Sequence, residues 1–222
     1  STGKPFYVNV WPDDVHTPWI PEGTDLTQRR YPEERSTFDP VLADYDKQIG
    51  RFMAGLKKLG LDENTIVIFT SDNGPLPTMD RSRTAGLRGA KDSLYEGGTR
   101  EPFIVRWPGH APAGRVDETS VINAVDLFPT FCRIAGASLP KNVKFDGEDM
   151  SQAFLGNSVT RKKPMFWEYG RNPTFGYPRE YPGQISPNVA VRDGKWKLLV
   201  NADGSQVELY DIDADRLETQ NV

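Results

Sequence analysis

Residues 65–70, Thr65-Ile66-Val67-Ile68-Phe69-Thr70, form an unbroken and mostly β-branched apolar run. A run this short without polar alternation predicts a strand covered on both faces, the habit of a parallel strand in an α/β sheet. It stops abruptly at Ser71-Asp72-Asn73-Gly74-Pro75, which is loop chemistry. Ligands of open α/β sheets gather beyond the carboxyl ends of the strands, so Asp72 and Asn73 stand where chemistry is expected. Their carboxylate and carboxamide oxygens are hard donors of the kind Ca2+ or Mg2+ takes, and Gly74-Pro75 permits a bend that turns both toward one ion. Asp-Asn-Gly is equally an ordinary turn, and the spacing alone leaves both readings open.

The flanking segments fit the same architecture. Pro5 to Trp11 reads as a strand stopped by Pro12-Asp13-Asp14, with His16-Thr17-Pro18-Trp19 in a Pro-rich loop that runs to about Phe38. Asp39-Pro40 reads as a helix start, with Asp39 as cap. Val41, Tyr45, Ile49, Phe52, Met53, Leu56 and Leu59 then recur at helical steps until Gly60 closes the helix. Residues 76–101 are polar, rich in Gly and Arg, and without helical period; so long an irregular stretch inside a domain is usually functional or disordered. Phe103 to Trp107 reads as a strand, Asp126 to Ala135 as a helix capped by Asp126, and residues 151–155 as a single helical turn. Beyond residue 160 the pattern changes to short strands at 165–169, 188–192, 196–200 and 207–210, with Asp193-Gly194 and Ala202-Asp203-Gly204 as hairpin signals. The expected organisation is an α/β domain over residues 1–160 and a small antiparallel subdomain over residues 161–222.

Three further positions could carry chemistry. His16 follows the end of the first strand and could donate to an anionic oxygen or protonate a leaving group, though a lone loop histidine is more often structural. His110, in a surface turn, is discounted. Lys91 lies among Arg88-Gly89-Ala90 and Asp92-Ser93, where a single ammonium could hold a tetrahedral anion; the ordinary reading is a solvated lysine. Glu96 reads as structural, paired with Arg88 or Arg100, and Gly97-Gly98 as a tight backbone turn. Cys132, on an apolar helix, reads as inert packing.

Composition closes off some classes. A net charge of −4, from 27 basic and 31 acidic residues mixed along the chain, with no basic run, argues against a nucleic-acid partner. No apolar stretch approaches the length of a membrane span. One cysteine excludes an internal disulfide.

Taken together, these segments resemble the sulfatase family of the alkaline-phosphatase superfamily. Pro5 to Trp19 is similar to the family's strand and active-site histidine loop, and Thr70-Ser71-Asp72-Asn73-Gly74 to its metal-binding motif. Leu87 to Pro102 is similar to its lysine segment, which usually has Gly where this chain has Asp92. Val125-Asp126-Leu127-Phe128-Pro129-Thr130 resembles a structural helix, and Val191 to Leu198 with Glu208 to Asp211 the terminal sheet. The resemblance is to the C-terminal portion of arylsulfatase-like and N-acetylgalactosamine-6-sulfatase-like members. It implies a partial alkaline-phosphatase-like α/β fold, a mostly parallel sheet flanked by helices plus the small antiparallel sheet, and hydrolysis of aryl or carbohydrate sulfate esters. Asp72 and Asn73 would ligate Ca2+, and His16 and Lys91 would contact the sulfate or ester oxygen.

The family's nucleophile is a formylglycine made from Cys/Ser-x-Pro/Ala-x-Arg. Cys132, followed by Arg133-Ile134-Ala135-Gly136, does not match that motif, and the family's early paired aspartates have no counterpart here. The expectation is therefore a partial chain whose partner is the missing N-terminal half of the same enzyme, with too few oxygen ligands to bind calcium well alone. By the same analogy the enzyme is periplasmic, secreted or lysosomal. Its substrate is a sulfated small molecule or carbohydrate, selected by residues 20–38, by Asn172–Pro187 and by the missing half. A phosphodiesterase or phosphonate hydrolase of the same superfamily, or a non-catalytic sulfatase-derived binding protein, are the competing expectations.

Overall fold

A computed structural model describes residues 3–170 and 185–222, apart from the side chains of Asp80 and Arg81. Most of the Asn172–Pro187 stretch expected to select the substrate thus lies outside the described residues. The chain divides into two compact units, residues 1–60 and 61–222. Among the described residues no helix is long and apolar enough to cross a membrane.

In the first unit, helix α1 spans Arg35–Lys58. It begins a turn earlier than its sequence suggests: Glu34 is the extended residue before it, and Asp39, read as the cap, instead lies 3.8 Å from Arg35 across one turn. Pro40 therefore sits inside the helix, where it costs one backbone hydrogen bond. Of the expected stripe, Leu56 is buried and Val41, Tyr45, Ile49 and Met53 are half-buried, whereas Phe52 and Leu59 are exposed. Trp19 is buried against Phe38, with ring centres 5.0 Å apart, and its indole N–H donates to Val15 O at 3.1 Å. The strand expected at Pro5–Trp11 is not formed. Phe6, Tyr7, Val8, Val10 and Trp11 are 57% to 88% exposed. An apolar sequence supplies side chains for a sheet, but a strand also needs a neighbour for its backbone N–H and C=O groups, and the described residues of the unit offer none.

In the second unit, β1 (Val67–Thr70) pairs with β2 (Phe103–Arg106), from Val67 opposite Arg106 to Thr70 opposite Phe103. The pairing is antiparallel, where the apolar run had suggested a parallel neighbour. The cause lies in the connection. The Gly74 N–H donates to Gly98 O at 3.1 Å, so residues 71–102 fold back on themselves and re-enter the sheet from the end they left. The irregular stretch is thus the elaborated tip of a hairpin, containing a 3-10 turn (Met79–Thr84) and a one-turn helix, α2 (Glu96–Thr99).

Helix α3 (Leu127–Ile134) and the single turn α4 (Ser151–Phe154) follow. Asp126, expected to cap α3, makes no side-chain cap bond to it. Its buried carboxylate accepts from the N–H groups of Asn123 (2.7 Å) and Glu148 (2.9 Å) and pairs with Arg161, tying three loops together. Cys132 is half-buried in α3.

Strands β3 (Met165–Glu168), β4 (Val189–Asp193), β5 (Trp196–Val200) and β6 (Glu208–Asp211) form an antiparallel meander in chain order, as the hairpin signals predicted. Alternation puts Ala190, Leu199 and Tyr210 on its inner face, where they form a core with Leu94, Tyr95 and Ile212. The sheet therefore packs directly on the polar segment that carries Lys91.

Candidate active site

Asp72 and Asn73 leave the end of β1 and begin the hairpin tip, with Asp72 exposed and Asn73 half-buried. Ser71 Oγ donates to Asn73 O at 3.0 Å. Past the bend, the Lys91 N–H donates to Pro75 O at 2.8 Å. The tip thereby sets the backbone that follows the acid–amide pair against the backbone of Lys91.

Glycine makes that approach possible. A Cβ on Gly74 would lie 2.1 Å from Gly97 O, and one on Gly98 would lie 2.0 Å from Ser93 O. Gly97 donates to Arg88 O at 2.6 Å, and its own added Cβ would fall 2.5 Å from Gly89 O. Backbone touches backbone at each point, so no side chain fits. Gly97-Gly98, read as a tight turn, is the inner half of this interlock. Asp92, which stands where the resembled segment usually has Gly, has φ +67°, the left-handed conformation glycine adopts freely and Asp tolerates. One oxygen of its carboxylate, Oδ2, is buried and accepts no hydrogen bond.

Glu101, not singled out by the sequence, is half-buried close to Asp72, and its Oε1 has no hydrogen-bond partner. Burial first, then the Asp72 charge, push its carboxyl up to about 7. A cleft of about 230 Å³ opens beside the tip, lined by Pro75, Arg83, Gly97, Arg100 and Glu101 among others. Glu96 is buried and pairs with Arg100 at 2.5 Å, one of the two partners expected for it; Arg88 turns instead toward Glu208, 3.6 Å away. Lys197 and Glu218, both fully buried, complete the charge network beneath the tip. Sequence reasoning passed over them. The available signal was Lys197 sharing the inward register of β5 with Leu199.

His16 belongs to the first unit, while Asp72, Asn73 and Lys91 belong to the second. It is exposed in a turn closed by its own N–H on Asp13 O (3.2 Å), with Nδ1 2.8 Å from Thr17 O.

Among the described residues no group of three or more His, Cys, Asp or Glu side chains is placed to hold a metal ion. Asp72 and Asn73 suit a hard cation in kind, as a carboxylate and an amide oxygen. Ca2+ takes about six to eight oxygens, so two residues alone would not complete a shell for it.

Asp72, Asn73 and Lys91 thus lie on one hairpin tip of an α/β fold, their segments joined through the Lys91 N–H on Pro75 O. The comparisons give this fold a family. The family model described as Sulfatase matches residues 1–137, and that described as N-sulphoglucosamine sulphohydrolase, C-terminal, matches residues 90–222. Arylsulfatase A of Homo sapiens is 38% identical over 204 residues, covering 91% of this chain and 37% of that protein. The N-acetylgalactosamine-6-O-sulfatase of Bacteroides thetaiotaomicron is 29% identical over 230 residues, covering 99% of this chain and 44% of that protein. The crystal structure of Ps i-CgsB in complex with k-i-k-neocarrahexaose superposes with a TM-score of 0.72 at 30% identity, over 94% of this chain and 44% of that one. The chain belongs to the sulfatase family, and its fold is that of the alkaline-phosphatase-like α/β enzymes. It spans less than half the length of these relatives.

Proposed function

We propose that this chain is the C-terminal part of a sulfuric ester hydrolase acting on aryl or carbohydrate sulfates. The observation that carries the reading is the interlock that fixes Asp72-Asn73 against the Lys91 segment, through Lys91 N–H on Pro75 O and Gly74 N–H on Gly98 O. Lys91 supplies a positive charge held by its backbone, able to bind a sulfate oxygen and to stabilise charge that grows there in the transition state. Asp72 and Asn73 supply two oxygens of a calcium shell, and a bound calcium would add Lewis-acid stabilisation of the same oxygens. His16 serves as donor to the ester oxygen. The formylglycine nucleophile and the remaining calcium ligands come from the N-terminal part of the enzyme, so residues 1–222 alone turn nothing over. In this reading residues 1–160 belong to the catalytic domain and residues 161–222 form its terminal subdomain. The working compartment is one where sulfated carbohydrates are met: periplasm, cell exterior or lysosome.

The test is turnover of an aryl sulfate against the matching aryl phosphate by the enzyme that contains this chain. Sulfate is expected to be preferred; preference for phosphate reassigns the site to phosphodiester or phosphonate hydrolysis. A coding sequence upstream without Cys/Ser-x-Pro/Ala-x-Arg would instead mark a non-catalytic binding protein. In the same enzyme Asp72→Ala is expected to lose calcium and turnover together, whereas Lys91→Ala keeps calcium and loses turnover. Calcium titration alongside the assay separates the two.

A further inference from the structure

Beneath the tip, residues 88–100 are held to the terminal sheet by charge as well as by apolar packing. Lys197 leaves the inner face of β5 at 0% exposure, its Nζ 2.9 Å from Glu96 Oε1 and 3.0 Å from Glu218 Oε1. Glu218 also accepts the Glu96 N–H at 2.6 Å. Arg100 holds the other oxygen of Glu96 at 2.5 Å. Arg88 stacks 3.7 Å above the Tyr95 ring and donates to Tyr210 Oη (2.8 Å) and to Glu218 O (2.9 Å). Burial pushes the Glu218 carboxyl up, with Lys197 and the Glu96 N–H pulling it partly back. For Glu96 burial also pushes upward, but Lys197 and Arg100 outweigh it and the carboxyl is held below its ordinary value.

A network of this kind is a poor way to gain stability. Buried ions lose several kcal/mol each in desolvation, and well-packed apolar replacements are often as stable or more so. What charge pairing supplies in its place is direction. Three separate contacts converge on Glu96: Lys197 and Arg100 on its carboxylate, Glu218 on its N–H. The next residues in the chain are Gly97 and Gly98, the inner half of the interlock against Gly74. Backbone groups in such contact have no side chain to absorb a displacement. A shift of Glu96 therefore passes through Gly97-Gly98 to Gly74, and so to Asp72 and Asn73, while Arg88 O follows through its bond to Gly97.

We propose that Lys197 and Glu218 are positioning residues: by fixing Glu96 they set where the Asp72-Asn73 pair stands relative to Lys91. This rests on the reading of those three as calcium and substrate contacts, and it gives the terminal sheet a part in the reaction without touching substrate.

The test uses Lys197→Met/Glu218→Gln, which removes one charge of each sign and leaves Glu96 paired with Arg100. In this chain, amide hydrogen exchange is expected to quicken at least tenfold at Gly74 and Lys91, while the β3–β4 ladder keeps its protection. Lys197→Arg, which keeps the charge, is expected to retain most of the tip's protection. Unchanged exchange at Gly74 and Lys91 in the double variant overturns the proposal, as does uniform quickening of tip and ladder. Should the double variant fail to fold, Glu218→Gln alone is read by the same criterion. In the enzyme containing this chain, the double variant is expected to lower kcat at least tenfold with KM little changed. Wild-type enzyme without sulfatase activity refutes the functional reading yet leaves the exchange result standing, so the two failures are distinguishable.

Discussion

Residues 5–11 and residues 88–101 invert the usual relation between hydropathy and burial. The first segment is rich in large apolar side chains, and its Phe6, Tyr7, Val8, Val10 and Trp11 are exposed. The second carries three glycines and six ionisable side chains besides Tyr95, and Gly89, Ala90 and residues 93–98 are buried. The difference lies in the backbone. Backbone groups of the second segment find partners in Pro75, in Gly74 and within the segment itself, while Glu96 and Arg88 find opposite charges in Lys197 on β5 and Glu208 on β6. The first segment has apolar surface to offer and no strand among the described residues of its unit to pair with. Hydropathy states what a segment would gain by burial; whether it is buried depends on who satisfies its polar groups.

The largest effect is expected at Lys197. Lys197→Met leaves Glu96 and Glu218 buried with one cation fewer between them, and breaking a buried pair by removing one partner costs about 3–5 kcal/mol. Urea unfolding of the chain should show that loss. A loss below about 1 kcal/mol would mean that the network is wetter than its burial implies. Next comes Gly98→Ala, whose methyl would meet Ser93 O at 2.0 Å. Forcing it in should cost on the order of 1–3 kcal/mol through backbone displacement. A neutral Gly98→Ala would show that the interlock is loose.

How far these features could be read in advance follows from the same distinction. The terminal meander was legible because alternation and the Asp193-Gly194 turn are local, and each strand's partner is its neighbour in sequence. The stripe of α1 was legible for the same reason, although its first turn, from Arg35, was not. Asp72, Asn73 and Lys91 were marked by residue type and by place after β1, while the backbone contact between their segments, through residues 74 and 98, is one that no local pattern announces. The antiparallel course of β1 and β2 is set by that same contact. Lys197 was overlooked because a lysine between apolar residues reads as a surface position until the inner face of β5 is known.

A smaller effect is expected at Glu101, where the two halves of the tip meet electrostatically. Burial and the Asp72 charge raise its folded-state pKa to about 7 from an ordinary 4.5. Between those values the folded chain keeps a proton that the unfolded chain has released. Stability therefore falls as pH rises from 4.5 to 7, and levels off above. Glu101→Gln should flatten the profile across this window, as measured by unfolding at a series of pH values. Asp72→Asn should flatten it less, since burial is the larger cause and persists in that variant. A window unaltered in Glu101→Gln would place its origin elsewhere.

The smallest effect is expected in the exposed apolar segment. Trp11 is the largest side chain of its segment and is 88% exposed. If the first segment has no burial to lose, Trp11→Ser should change the unfolding free energy of this chain by no more than about 0.5 kcal/mol, the ordinary range for a surface substitution. A buried tryptophan truncated in the same way would cost about 3–5 kcal/mol, so the two outcomes are well separated. Fluorescence gives an independent check, because an exposed indole emits at the red end of its range and a small quencher such as iodide reaches it. The Trp11→Ser chain should have lost a red-emitting, iodide-accessible component. A blue-shifted or shielded component lost instead, together with a large loss of stability, would mean that residues 5–11 are packed in this chain after all, and that apolar sequence does predict burial at this end of the molecule.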